Sequence, residues 1–174
     1  RLCGSAMSAV VHARRAIAAG DGDLFITGGV ENMTRGPWVI SKVSRAYGRD
    51  AKMHDSAFGW RFTNKKLADK VGADPMGVTA ENLVDIHKIS REDQDKFAYW
   101  SQMKASAAQQ NGRLTEEITA VSIPQRKNDP ILFDKDEFIR PNTTLEILAN
   151  LRPAFRKEGG TVTAGNASGL NDGA

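Results

Sequence analysis

The opening of the chain restricts its fold more than anything that follows. From Ser5 to Ala19 runs a stretch of small and apolar residues, Ala6, Met7, Ala9, Val10, Val11, Ala13, Ala16 and Ile17 among them, closed by Gly20 where a left-handed helix cap is expected. Apolar positions occupy much of the helix circumference, which predicts a central helix buried on most sides. After Asp21-Gly22-Asp23 comes the run Leu24-Phe25-Ile26-Thr27, ending in Gly28-Gly29, which reads as an interior strand. A helix followed by a buried strand is the grammar of an α/β fold.

From about Asn32 to Glu158 the character changes to polar connections and amphipathic helices, which reads as an inserted subdomain. Thr79 is expected to cap a helix beginning Ala80-Glu81-Asn82-Leu83. Ser90 with Asp93 caps a longer one, whose Phe97, Trp100, Met103 and Ala107 share a face predicted to be core, before Asn111-Gly112 stops it. Thr143 with Glu146 repeats the device ahead of Leu145, Leu148 and Leu151. Strands are expected at Ile118 to Ile123, ended by Pro124, and at Ile131 to Phe133. The final zone, Thr161-Val162-Thr163-Ala164, reads as a short strand, followed by the tight turn Gly165-Asn166-Ala167-Ser168-Gly169, whose small side chains let backbone approach a ligand.

Charge and cysteine content narrow the functional classes. Between Arg35 and Lys70 nine Lys and Arg face three acids, a local excess of +6 in a chain of net charge +3. Such a block attracts anions or is a solvated face. No zinc spacing, RNP-like aromatic strand or helix-turn-helix accompanies it, so a phosphorylated small molecule or an acidic subunit surface is favoured over nucleic acid. No stretch reaches the roughly 20 apolar residues of a membrane span, and the opening run, with His12, Arg14 and Arg15, is no signal peptide. The single cysteine excludes an internal disulfide and fits a reducing compartment, the cytoplasm. An opening at Arg1 that runs straight into an apolar helix, and a close on Asn171-Asp172-Gly173-Ala174, lead us to expect an internal segment of a larger protein.

That cysteine, Cys3, stands immediately before the first helix, where unsatisfied N–H groups and the positive dipole end favour a thiolate. A helix terminus supplies roughly 0.3 to 1 kcal/mol, at best about 2, so a dedicated base would still be needed. A buried, inert cysteine is the alternative. None of the histidines is placed as that base: His12 lies more than two turns along the same helix, and His54 and His87 fall in the polar insertion.

Several motifs, in order along the chain, resemble the thiolases, the acetyl-CoA acyltransferases. They are Leu2-Cys3-Gly4-Ser5-Ala6-Met7, Gly28-Gly29-Val30-Glu31-Asn32-Met33, Met76-Gly77-Val78-Thr79-Ala80-Glu81-Asn82, the helix from Arg91-Glu92-Asp93-Gln94-Asp95 to Ser101-Gln102, Leu151-Arg152-Pro153-Ala154-Phe155, and above all Thr161 through Ala174. The resemblance implies a five-layered αβαβα fold, of which this chain would be part of the N-terminal half plus a CoA-cradling loop domain. The domains would be 1–31 for the core, 32–158 for the loop domain and 159–174 for the return to the core. It further implies that Cys3 is the nucleophile that takes up the acyl group as a thioester. Leu67 and Met76 would pack on the pantetheine, Arg140 would lie near the adenine nucleotide, and Phe155, Ala164, Ala167 and Ser168 would wall the pantetheine arm. CoA and acyl-CoA would be substrates, with no covalently bound cofactor and no metal, in a homodimer or homotetramer. A Gly-His-Pro histidine, an Asn-Glu-Ala-Phe asparagine and a second cysteine would belong to the C-terminal half, so these 174 residues by themselves are expected to be inactive.

Many thiolases have Gly where this chain has Ala6, and some acetoacetyl-specific members have His where it has Pro75. The segment from Arg35-Gly36-Pro37-Trp38 to Phe58-Gly59-Trp60-Arg61-Phe62 is closer to degradative thiolases acting on 3-oxoadipyl-CoA. A ketosynthase would share the fold and nucleophile but use a carrier protein, against which the Thr-Ala-Gly-Asn-Ala-Ser-Gly run argues. A non-catalytic CoA- or lipid-binding relative would keep the fold without the reaction, and labelling of Cys3 with and without acetyl-CoA separates the two. A basic nucleic-acid module would instead bind DNA in a salt-dependent way that CoA does not compete with.

Overall fold

The computed structural model describes residues 2–173; Arg1 and Ala174, the outermost residues of the expected domain ranges, lie outside them. The chain divides into two compact units, one of Arg1–Ala73 with Gly169–Ala174 and one of Asp74–Ser168.

In the first unit a 3-10 turn, Leu2–Gly4, leads into α1, Ser5–Ala19, which ends as its sequence predicts: Gly20 adopts φ 81° and returns its N–H to the carbonyls of Ala16 and Ile17. The expectation that α1 is buried fails. None of its residues is buried, and Met7 and Val10 stand more than half exposed. Its small side chains, Ala9, Ala13 and Ala16, face a groove shared with Phe25, Ile26 and Thr27, and no second layer of this unit's described residues covers the other side. The strand expected at Leu24–Thr27 is extended but unpaired, with Ile26 99% exposed. A strand exists only through the ladder it makes with a neighbour, and no described residue of the unit supplies one.

The rest of the unit is held by one long-range bridge and several short-range pairs. Glu31 and Gly173 form an antiparallel bridge, and the Asp172 carboxylate accepts the Thr34 N–H at 2.9 Å, which holds its carboxyl below the usual range. β1 (Trp38–Ile40) and β2 (Met53–Asp55) pair antiparallel, Val39 opposite His54, and His54 meets Phe62 edge-on at 5.2 Å. Asn64 caps α2, Lys65–Val71, by accepting the Leu67 N–H.

The second unit is helical. α3 spans Met76–His87 and starts earlier than expected, because Pro75 supplies the extended residue before the first turn and Thr79 is already inside, its hydroxyl donating to the Pro75 carbonyl. α4, Arg91–Gln110, begins at the predicted Ser90, whose Oγ accepts the Asp93 N–H, and ends at Asn111. The face expected to be core is mostly exposed, with only Met103 of its four residues half-buried. Phe97 and Trp100 are 72% and 61% exposed, whereas Asp95 and Ser106 are buried. Hydrophobic periodicity mispredicts this face because the inward contacts are hydrogen bonds and ion pairs.

β3 (Val121–Ile123) and β4 (Ile131–Phe133) form an antiparallel hairpin, so the first expected strand is shorter than its apolar run. α5, Leu145–Ala149, is capped by Thr144 and not by Thr143, whose hydroxyl is spent on the Arg140 carbonyl. Leu148 on α5 and Val162 are the buried apolar residues of the described chain. The strand expected at Thr161–Ala164 reduces to one bridge, Pro153 opposite Thr163, with the Ala154 N–H donating to the Val162 carbonyl.

Candidate functional site

The first unit carries Cys3 and Leu67. Cys3 lies in the 3-10 turn at the N-terminus of α1, its thiol free and exposed, with Leu2 before it in the left-handed region at φ 47°. Gly4, the residue that leads into the helix, makes no side-chain cap hydrogen bond. Leu67 is half exposed on α2. The basic block lies in this unit as well; of its cations Lys65 pairs with Asp69 at 3.1 Å, one turn along α2.

The second unit brings together most of the other residues that the sequence singles out. Phe155 lies directly on Gly77 of α3, where an added Cβ would overlap the ring. Phe155, and Met76 just before Gly77 in the chain, both keep exposed apolar surface, 46% and 80%. The strand-like run 153–155 is bridged to 161–163, and that run leads directly into the turn holding Ala164, Ala167 and Ser168.

The turn sorts its side chains into two sets. Thr163 is fully buried, and its hydroxyl accepts the N–H groups of Gly165 and Asn166. Gly165 has no room for a side chain, since a Cβ would meet Leu148 Cδ2 and Leu151 Cδ1 at 2.5 Å. Asn166 turns inward. Ala164 and Ser168, two of the residues matched to a pantetheine wall, are left exposed, and Ala167, a third, is half-buried.

What holds the turn is a set of polar groups that enter the sequence reading only as parts of motifs. Glu81 of α3 is fully buried; its Oε1 accepts the N–H groups of Thr161 and Val162 at 2.8 Å each, and its Oε2 accepts the Thr161 hydroxyl at 3.0 Å. Burial pushes its carboxyl up, but the bonds from Val162 and Thr161, with the Arg156 charge, outweigh burial and hold it below the usual range. Arg156 itself pairs with Asp85 at 2.8 Å. On α4, Asp95 accepts Arg91 Nε at 2.8 Å and Asn166 Nδ2 at 3.0 Å, while Arg91 also donates to the carbonyls of Leu148 and Leu151. The spacing of Arg91 and Asp95, one turn apart, is the available sequence signal.

Arg140 stands apart from the turn, anchored to α4 by its N–H donating to Gln102 Oε1 at 2.7 Å. Its guanidinium donates to the Glu137 carbonyl and lies 5.7 Å from the Phe138 ring centroid. Among the described residues no cluster of His, Cys, Asp and Glu is placed to hold a metal ion, and no helix is long and apolar enough to cross a membrane.

An exposed cysteine opening a helix, and a small-residue turn braced from beneath by buried carboxylates, are found here on a chain whose whole length, residues 1–174, matches the model of the thiolase N-terminal domain. The chain belongs to the thiolase family. It is 52% identical over its full length to a beta-ketoadipyl-CoA thiolase of Acinetobacter baylyi and 51% identical to the 3-oxoadipyl-CoA/3-oxo-5,6-dehydrosuberyl-CoA thiolase of Escherichia coli, and it covers 43% of each. Among solved structures it resembles human mitochondrial 3-ketoacyl-CoA thiolase, with a TM-score of 0.81 and 38% identity across 98% of this chain and 42% of that one. Its fold is therefore a partial α/β domain from the N-terminal half of the thiolase fold.

Proposed function

We propose that the chain is the nucleophile-bearing part of a CoA-dependent acyltransferase that cleaves 3-oxoacyl-CoA, or runs the reverse condensation. The observation that carries this reading is the exposed Cys3 thiol at the N-terminus of α1. In the thiolysis direction the Cys3 thiolate attacks the 3-oxo carbon, the bond between C2 and C3 breaks, and acetyl-CoA leaves as an enolate that takes up a proton. The thiol of a second CoA then attacks the Cys3 thioester, frees the cysteine and carries away the shortened acyl group. The Cys3 backbone N–H offers one donor to an oxyanion, and a single such donor is typically worth about 10² to 10³ in rate. The activating histidine, the asparagine and the second cysteine belong, on this reading, to the remainder of the protein.

Leu67 and Met76 would pack on the pantetheine, Phe155, Ala164, Ala167 and Ser168 would wall its arm, and Arg140 would lie near the adenine nucleotide. Residues 1–31 and 159–174 would belong to the catalytic core and 32–158 to the loop domain. The names of the relatives favour a dicarboxylic substrate of the 3-oxoadipyl-CoA type in aromatic-acid catabolism. The protein would act in the cytoplasm as a homodimer or homotetramer.

The test is made in the complete protein. Iodoacetamide should label Cys3, acetyl-CoA should block the labelling, and Cys3→Ala should abolish thiolysis, with kcat/KM higher for 3-oxoadipyl-CoA than for acetoacetyl-CoA. Turnover that survives Cys3→Ala would overturn the assignment. CoA binding without turnover in the wild type would instead mark a non-catalytic relative.

A further inference from the structure

The hydrogen bonds of Asn166 are sorted by chemistry in a way that points beyond the turn itself. Its Oδ1 accepts the Thr163 N–H at 2.7 Å, and its Nδ2 donates both to the Thr161 carbonyl and to Asp95 Oδ1, each at 3.0 Å. An amide side chain offers an acceptor oxygen and two N–H donors, and here the oxygen and both donors are engaged. Of these three bonds, the one to Asp95 leaves the loop. It ties the turn to α4, and Asp95 is held in turn by Arg91, whose guanidinium also grips the carbonyls of Leu148 and Leu151, the two leucines packed under Gly165. Asn166 is thus the joint between the backbone that shapes the turn and the helix that supports it.

We propose that Asn166, acting with Asp95, is a positioning residue for the CoA arm: it touches no substrate, but it fixes the height at which Ala164, Ala167 and Ser168 present their small side chains. This rests on the reading that those three residues wall the pantetheine. None of the three small side chains takes part in these bonds, Ala164 and Ser168 being exposed and Ala167 half-buried, so a fault in the bonded set shifts the wall without removing any wall atom. A wall contact is made in the ground state and in the transition state alike, so its loss appears in KM and not in kcat.

The isosteric change Asn166→Asp tests this in the complete protein. It turns two donors into acceptors, so that an oxygen faces the Thr161 carbonyl and the Asp95 carboxylate. KM for CoA should rise about tenfold with kcat within about twofold, and the dissociation constant for CoA by calorimetry should rise in parallel. Adding Asp95→Asn gives the carboxylate introduced at position 166 a donor from position 95 and should recover part of that loss. Asp95→Asn alone is milder, because one amide oxygen must then serve either Arg91 or Asn166; it should raise KM for CoA about threefold, and it carries the test if Asn166→Asp does not fold. An unchanged KM in both single variants, or a fall in kcat at constant KM, would overturn the proposal. Wild-type protein that turns over CoA substrates while the variants match it sinks this inference alone; wild type that neither binds nor turns over CoA sinks the reading beneath it.

Discussion

Replacing Glu81 by Gln is the sharpest probe of what holds the 161–168 segment, because it alters charge and proton count at nearly constant shape. In the wild type Glu81 Oε1 accepts two N–H groups at 2.8 Å and Oε2 accepts the Thr161 hydroxyl, which itself accepts Gln94 Nε2 at 3.0 Å. In the variant the amide oxygen can keep both N–H bonds, but they fall from the class of bonds to a charged group, about 1.5 to 3 kcal/mol each, to neutral ones of about 0.5 to 1.5. The amide nitrogen then donates where the hydroxyl used to donate, which leaves the Thr161 proton without its acceptor at a cost of about 1 kcal/mol. The total loss is about 3 kcal/mol, which corresponds to roughly a hundredfold faster exchange of the Thr161 and Val162 amides if they open with this unit. The pH dependence has a definite sign. The folded carboxyl lies below its unfolded value, so its contribution is complete above the unfolded pKa, about 4.3, and is lost as pH falls through the lower folded value. Wild type and Glu81→Gln should therefore differ most near neutrality and converge in acid. Equal amide protection at pH 7, or a gap that widens as pH falls, would refute the argument.

Gly165→Ala would place a methyl 2.5 Å from Leu148 and Leu151 and should destabilise the protein by about 1 to 3 kcal/mol in urea titration. Leu148→Ala should cost about 2 to 5 kcal/mol by the same measurement, as Leu148 is only 3% exposed. Arg140→Ala should raise KM for CoA substrates with little change in kcat; a collapsed kcat at constant KM would remove Arg140 from the nucleotide end. Gly77→Val should displace Phe155, whose ring occupies the space an added Cβ would need, and weaken CoA binding measured by calorimetry.

Local signals are legible where their cause is local. Gly20 ends α1 and Ser90 opens α4 because each is decided by a few neighbouring residues. The motifs around Cys3 and along 161–173 lead to the family because they are long and ordered. The segment Leu24–Thr27 has the composition of a strand, yet pairing belongs to two segments at once and cannot be read from one. The inward face of α4 escapes the sequence for a different reason: a hydrophobic stripe signals what water avoids, whereas Asp95 and Arg91 face inward because each completes the other's hydrogen bonds. Glu81 illustrates the same blindness, a charged residue with no exposed surface whose partners lie eighty residues away in the chain.

The two-sided turn at 163–168 separates durability from adaptability. The side-chain bonds that shape the loop run through Thr163, Gly165 and Asn166 on one side, and the exposed positions Ala164 and Ser168 take no part in them. Substitutions at 164 and 168 can therefore accumulate under selection for a different ligand while the scaffold is inherited unchanged, and a protein engineer can vary those two sites in a library without first restabilising the loop.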